Sequence, residues 1–189
     1  MKLKKTNAVL GLLLSAVCLT HVVGEVWNGM TYDALSSQNQ ILARICGVIA
    51  ILHILISCYM LFISHEGKRM NLYPRENAST LLQRISGILM IIFLAFHVGV
   101  FNALAGHEGR DAGFFILRTA TAILFYGTVF LHISVSFSRA LITLGVITSR
   151  TTKRRLDRIL WVIMGLGFIA ASVLITYSYG TFYFNGGRA

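Results

Sequence analysis

Four histidines, His21, His53, His97 and His132, lie inside four successive apolar stretches of this 189-residue chain. An imidazole in hydrocarbon surroundings is costly, and it persists there when it binds a partner on a neighbouring helix or ligates a metal. A lone one is ordinarily a hydrogen-bonded core residue. One in each of four consecutive stretches points to a shared task. His65 and His107 fall between stretches and read as solvated.

The elements that must position these residues are membrane-spanning. The chain is 56% hydrophobic, with a mean hydropathy of +0.71 and one proline, whereas a soluble domain of this size needs far more polar surface. Apolar stretches cover about 8–27, 41–64, 84–105, 113–138 and 159–180. Each approaches or exceeds the ~20 residues that cross a ~30 Å hydrocarbon core, and backbone satisfaction in lipid requires helices. The expected fold is an all-α integral membrane protein, one five-helix bundle over residues 1–189, with no soluble domain, long linker or internal repeat. The first stretch reads as a span rather than a cleaved leader, because its apolar run continues through "HVVGEVW".

The net charge of +10 is a topology signal rather than a nucleic-acid footprint. Lys2, Lys4 and Lys5 precede the first span, and Lys68, Arg69, Arg75 and Arg84 lie between or at the ends of the second and third. Arg139, Arg150, Lys153, Arg154, Arg155 and Arg158 lie between the fourth and fifth. Only Arg44, Arg110, Arg118 and Arg188 belong to the other side. The asymmetry places the N-terminus in the cytoplasm and the C-terminus outside. Cys18, Cys46 and Cys58 all fall within spans as small buried residues, and there is no CxxCH for covalent haem attachment.

Depth sorts the histidines. His21 lies sixteen positions beyond Lys5 and His97 thirteen beyond Arg84, so both are roughly 20–24 Å from the inner boundary. His53 is eleven positions from Ser64 and His132 seven from Arg139, which puts them roughly 10–16 Å from it. The result is an outer layer of His21 with His97 and an inner layer of His53 with His132. Each layer can offer two imidazoles to one flat cofactor held between facing helices, the arrangement expected for two stacked bis-histidine b-type haems. Each ligand is expected to donate Nδ1–H to a carbonyl or hydroxyl. Small-residue stripes, Ser15–Cys18–His21–Gly24 and Cys46–Ala50–His53–Ser57, would let a porphyrin approach the backbone or serve helix packing. Arg118 and Arg139 repeat at seven-residue steps through His132; they are candidates for haem propionates, or anchors at the helix ends.

The segment "LLQRISGILMIIFLAFHV", residues 81–98, resembles the third transmembrane helix of the dihaem cytochrome b anchor of succinate:quinone oxidoreductases, which include quinol:fumarate reductases. That family has a Gln-Arg-x-[Ser/Thr]-Gly start and an apolar run ending in a haem-ligand histidine. The resemblance covers most of the chain in architecture and the third span in motif. It implies His21, His53, His97 and His132 as the axial ligands, with Gln83 and Arg84 matching the motif. It also implies an iron–sulfur subunit and a flavoprotein subunit bound on the cytoplasmic side, a bacterial cytoplasmic membrane, and a quinone, menaquinone before ubiquinone. The first span departs from the family's Arg-x-x-His-Ser-type start, and no carboxylate lies near His132 in the fourth.

With no nucleotide fingerprint and no cysteine cluster, the chain itself cannot convert dicarboxylates. The expected function is electron transfer between quinone and the iron–sulfur subunit, with segments 65–83 and 140–158 as the docking face or, for the basic run, an attraction for anionic lipid. The alternatives are a dihaem cytochrome b of formate dehydrogenase, hydrogenase or ferric reductase type, and a haem-free transporter or structural protein. A quinone needs a polar group at the end of an apolar cleft. Glu25, with Trp27 and Arg44, supplies one end and is the candidate proton acceptor; Gln83 and Arg84 supply the other.

Overall fold

The structure, a computed structural model, describes residues 2–31, 37–62, 74–104 and 112–184, without the side chains of 28–31, 37, 61–62, 74–77, 101–104 and 182–183. His65, Lys68, Arg69, His107, Arg110, Arg188 and the Arg75 side chain lie outside the described residues. Five helices follow one another: α1 Lys2–Thr31, α2 Ser37–Phe62, α3 Pro74–Leu104, α4 Ala112–Leu144 and α5 Arg150–Phe184. All five are long and apolar enough to cross a membrane, so this is an all-α, multi-pass membrane protein.

The helices outrun the apolar stretches at their polar ends. α4 continues to Leu144, so Arg139 lies within it, and the basic run from Arg150 to Arg158 forms the first turns of α5 instead of a connecting loop. Hydropathy marks where the hydrocarbon ends, whereas the backbone has no reason to stop there without a breaker. The breaker is Gly145, with φ of 82°. Its N–H donates to the Ile142 carbonyl at 3.0 Å, and the Val146 N–H donates to the Leu141 carbonyl at 2.9 Å, closing α4 with a left-handed glycine cap. Ser149 then caps α5: its Oγ accepts from the Thr151 N–H at 3.2 Å. Positive charge in a helix's first turn opposes the macrodipole. Arg150 and Lys153 are there regardless, and Lys153 finds Asp157 one turn on at 2.7 Å.

The packing is two antiparallel hairpins joined along one seam. α1 pairs with α2 and α3 with α4; α1 and α4 touch along the seam, and α5 packs on both. Among the described residues, α2 and α3 do not approach one another within 8 Å between Cα atoms, nor do α1 and α3 or α2 and α4. Among the described residues these four helices therefore touch in the order α2–α1–α4–α3, with α5 against the central pair α1 and α4. Val22 of α1, Ala122, Tyr126, Val129, Phe130 and Ile133 of α4, and Ala171, Ile175 and Tyr179 of α5 make the core. A smaller cluster of Leu14, Cys46 and Ala50 joins α1 to α2; here Cys18 and Cys46 meet at 3.2 Å between sulfurs. Ile51, Leu55, Val162, Leu166 and Val173 are exposed, which suits helix faces that meet lipid tails as apolar as themselves.

The start of α1, the start of α3 and the α4–α5 turn form the basic end of the bundle, opposite its far end.

Candidate functional site

Two histidines belong to each hairpin, and each is placed by a residue of the partner helix. In the α1–α2 hairpin, the His53 ring lies over Gly11: a Cβ added there would stand 3.1 Å from His53 Cε1. In the α3–α4 hairpin, the His132 ring lies over Gly87, where an added Cβ would stand 3.4 Å from His132 Cε1. Glycine lets each imidazole approach the neighbouring backbone. The carbonyl one turn before each glycine, Asn7 or Gln83, lies beside the corresponding ring. Ten positions after each glycine comes the other histidine of the first helix, His21 or His97. The hairpins are therefore built on one plan. The shared plan is confined to Gly11 with His21 and Gly87 with His97, and most of the residues around them differ.

Hydrogen bonds decide which imidazole nitrogen is left available. Ser86 Oγ donates its single proton to the Gln83 carbonyl at 3.0 Å. Towards His132 Nδ1, at 3.0 Å, it can therefore only accept. His132 thus carries its proton on Nδ1, and Nε2 keeps a lone pair. At the far end, Asn39 Nδ2 donates to Glu25 Oε2 at 2.7 Å. That turns Asn39 Oδ1 toward His21 Nδ1, at 2.9 Å, and His21 donates to it. His21 is held in the same tautomer, with Nε2 available to a metal. Asn39 is buried, at 8% exposure, and Gly24 gives it room: a Cβ there would stand 2.8 Å from Asn39 Oδ1. The buried Nδ1 of His53 has no hydrogen-bond partner among the described residues. His97 stacks on Phe125, with centroids 5.1 Å apart and rings inclined by 23°.

His21 and His97 lie within electrostatic reach of one another, as do His53 and His132. Each couple joins two helices, α1 with α3 or α2 with α4, whose described residues do not come within 8 Å between Cα atoms. Gly11 shares the depth of His53 and Gly87 that of His132, so the two levels are separated by ten residues on both hairpins, roughly 15 Å along the helix axis.

The remaining expected site residues divide. Arg139 Nη1 donates to Thr80 Oγ1 at 2.9 Å and to Gln83 Oε1 at 3.0 Å, tying α4 to the start of α3. Arg84 is half-buried on α3. The Arg118 guanidinium lies 4.0 Å from the centroid of the Tyr179 ring, a cation–π contact, and within electrostatic reach of His97. Glu25 is drawn into the bundle by Asn39, whereas Trp27 and Arg44 are exposed. The two small-residue stripes meet at Cys18 and Cys46, and each also borders a polar residue of the other helix: Ser57 Oγ meets the Asn7 amide at 3.2 Å, and Gly24 lies beside Asn39. Sequence reasoning missed Asn39, Ser86, Gly11, Gly87, Tyr126 and Tyr179. Ser86 and Gly87 lay inside the quoted Gln83–Gly87 motif, and the shared ten-residue spacing would have found Gly11.

In each couple one ring, His21 or His132, has its Nδ1 hydrogen-bonded to a neighbouring side chain, which leaves Nε2 as the nitrogen that could hold a metal. Comparison of the chain with known protein families, curated proteins and solved structures returns no match.

Proposed function

We propose that this chain is the dihaem cytochrome b anchor of a succinate:quinone oxidoreductase, carrying electrons between a quinone in the membrane and an iron–sulfur subunit. The observation that carries the reading is the arrangement of four histidines as two couples, His21 with His97 and His53 with His132, with Nδ1 of His21 and His132 hydrogen-bonded so that Nε2 is available. Two b-type haems supply one-electron transfer when bound. His21 and His97 hold one at the far end, and His53 and His132 hold the other nearer the basic end. Asn39 and Ser86 fix ligand orientation, as partners of ligating imidazoles commonly do. Arg118 and Arg139 are placed to neutralise carboxylates at the two levels.

Glu25, held by Asn39 near His21, is the proton acceptor for a quinol bound at the far end, menaquinone before ubiquinone. Gln83 and Arg84 mark the other possible quinone end. The basic end faces the cytoplasm of a bacterial cell, following the positive-inside rule. There the α4–α5 turn and the basic first turns of α5 meet the iron–sulfur subunit, beyond which the flavoprotein converts the dicarboxylate. Haem quantitation by pyridine haemochrome should give about two per chain, and identification of co-purifying subunits separates this anchor from those of formate dehydrogenases or hydrogenases. Absence of haem would instead favour a transporter or structural protein. His21→Ala and His97→Ala should lose one spectral component, and His53→Ala and His132→Ala the other; mixed losses would overturn the pairing.

A further inference from the structure

Tyr126 is 1% exposed and among the largest fully buried side chains, yet its hydroxyl has no hydrogen-bond partner among the described residues. A buried phenol without an acceptor is destabilising, and phenylalanine would pack the same space without that cost. The position of the hydroxyl is equally telling. Its electrostatic neighbours are Tyr179 of α5, Glu25 of α1 and Arg118 of α4, and the Tyr126 ring lies beside His97 at 6.2 Å between centroids. A second buried oxygen without a partner among the described residues, Thr119 Oγ1, sits seven residues away on nearly the same face of α4. Two such hydroxyls thus mark α4 toward the far end, that of Tyr126 within reach of a carboxylate and a guanidinium and its ring beside His97.

We propose that Tyr126 is a binding residue of the far-end site, its hydroxyl donating a hydrogen bond to a carbonyl or carboxylate oxygen of a bound molecule. A quinone carbonyl and a haem propionate share this acceptor chemistry. The naming of those two sources rests on the function proposed above; the orphaned hydroxyl does not. Glu25 complements the donor: it can take a proton from one oxygen of a quinol while Tyr126 holds another. Arg118, braced on the Tyr179 ring, offsets negative charge on a carboxylate.

Tyr126→Phe keeps the ring and removes only the donor, so it tests the proposal in the full-length chain purified with its partner subunits. Affinity for a short-chain naphthoquinone is read by quenching of tryptophan fluorescence, and the haem midpoint potentials by redox titration. A quinone acceptor gives about tenfold weaker naphthoquinone binding with unchanged potentials, the worth of one hydrogen bond. A propionate acceptor shifts the far-end haem potential and leaves quinone affinity alone; movement of both also supports the donor role. Haem-loaded protein in which neither readout moves, with Tyr126→Phe more heat-stable than the parent, overturns the proposal and leaves the proposed function standing. A haem-free parent whose naphthoquinone affinity still falls tenfold in Tyr126→Phe does the reverse. A haem-free parent that binds no naphthoquinone overturns both.

Discussion

Asn39→Leu should be among the most disruptive single changes at the far end, although it replaces a buried polar side chain by an apolar one. Asn39 makes two bonds from one amide: it accepts from His21 at 2.9 Å and donates to the Glu25 carboxylate at 2.7 Å. Leucine matches its size and suits a span, so a transfer argument alone predicts stabilisation. The polar partners reverse the sign. Losing a neutral hydrogen bond costs about 1 kcal/mol, and losing one to a charged group about 1.5–3 kcal/mol. The total is about 3 kcal/mol, which at roughly 2–4 °C per kcal/mol for a chain of this size lowers the melting temperature by about 6–12 °C. Unfolding of the full-length chain in detergent, followed by circular dichroism, measures this without reference to any cofactor. Gly24→Ala should give a smaller loss by the same route, because its Cβ would stand 2.8 Å from Asn39 Oδ1. Combining Asn39→Leu with Glu25→Ala should cost less than the sum of the two, since they remove one shared bond. An Asn39→Leu protein that melts with or above the parent would refute the His21–Asn39–Glu25 chain.

Gly11→Val should displace the His53 ring, whose Cε1 already lies 3.1 Å from an added Cβ, whereas Gly87→Ala, at 3.4 Å from His132, should be tolerated; the ratio of haem to protein in each variant checks the difference. Gly145→Ala should cost about 1 kcal/mol, because φ of 82° strains a residue with a Cβ. A melting-temperature loss of roughly 2–4 °C is the expected reading. Glu25→Gln retains an oxygen to accept from Asn39 but cannot take a proton at neutral pH. It should abolish quinol-linked turnover while dye-linked activity and both haem spectra persist, and normal quinol turnover there with loss in Arg84→Leu would move the quinone to the basic end.

The site was partly legible before the fold was known. His21, His53, His97 and His132 stood out because an imidazole in an apolar run is a local anomaly that needs no partner to be noticed. Gln83 and Arg84 were marked by their place at the polar start of a span. Asn39 and Ser86 gave no such signal: an asparagine near a helix end, or a serine within a helix, is ordinary until a histidine from another helix reaches it. Tyr126 was hidden for the opposite reason, since an aromatic in a membrane helix looks like packing until its hydroxyl is found without a partner among the described residues.

What the sequence alone determined is one-dimensional: five spans, from hydropathy and the length of lipid to be crossed, and the order of histidines along them. Relative depth also follows from chain position, because each residue advances a helix by a set rise. Which helices are neighbours does not. The contact of α1 with α4 and the seating of α5 against both arise from side-chain packing between segments far apart in the chain. In lipid no burial of apolar surface favours one apolar face over another, so the choice falls to close approaches and hydrogen bonds. Gly11 beneath His53, Gly87 beneath His132 and Asn39 between His21 and Glu25 are those contacts, and only the tertiary structure brings them together.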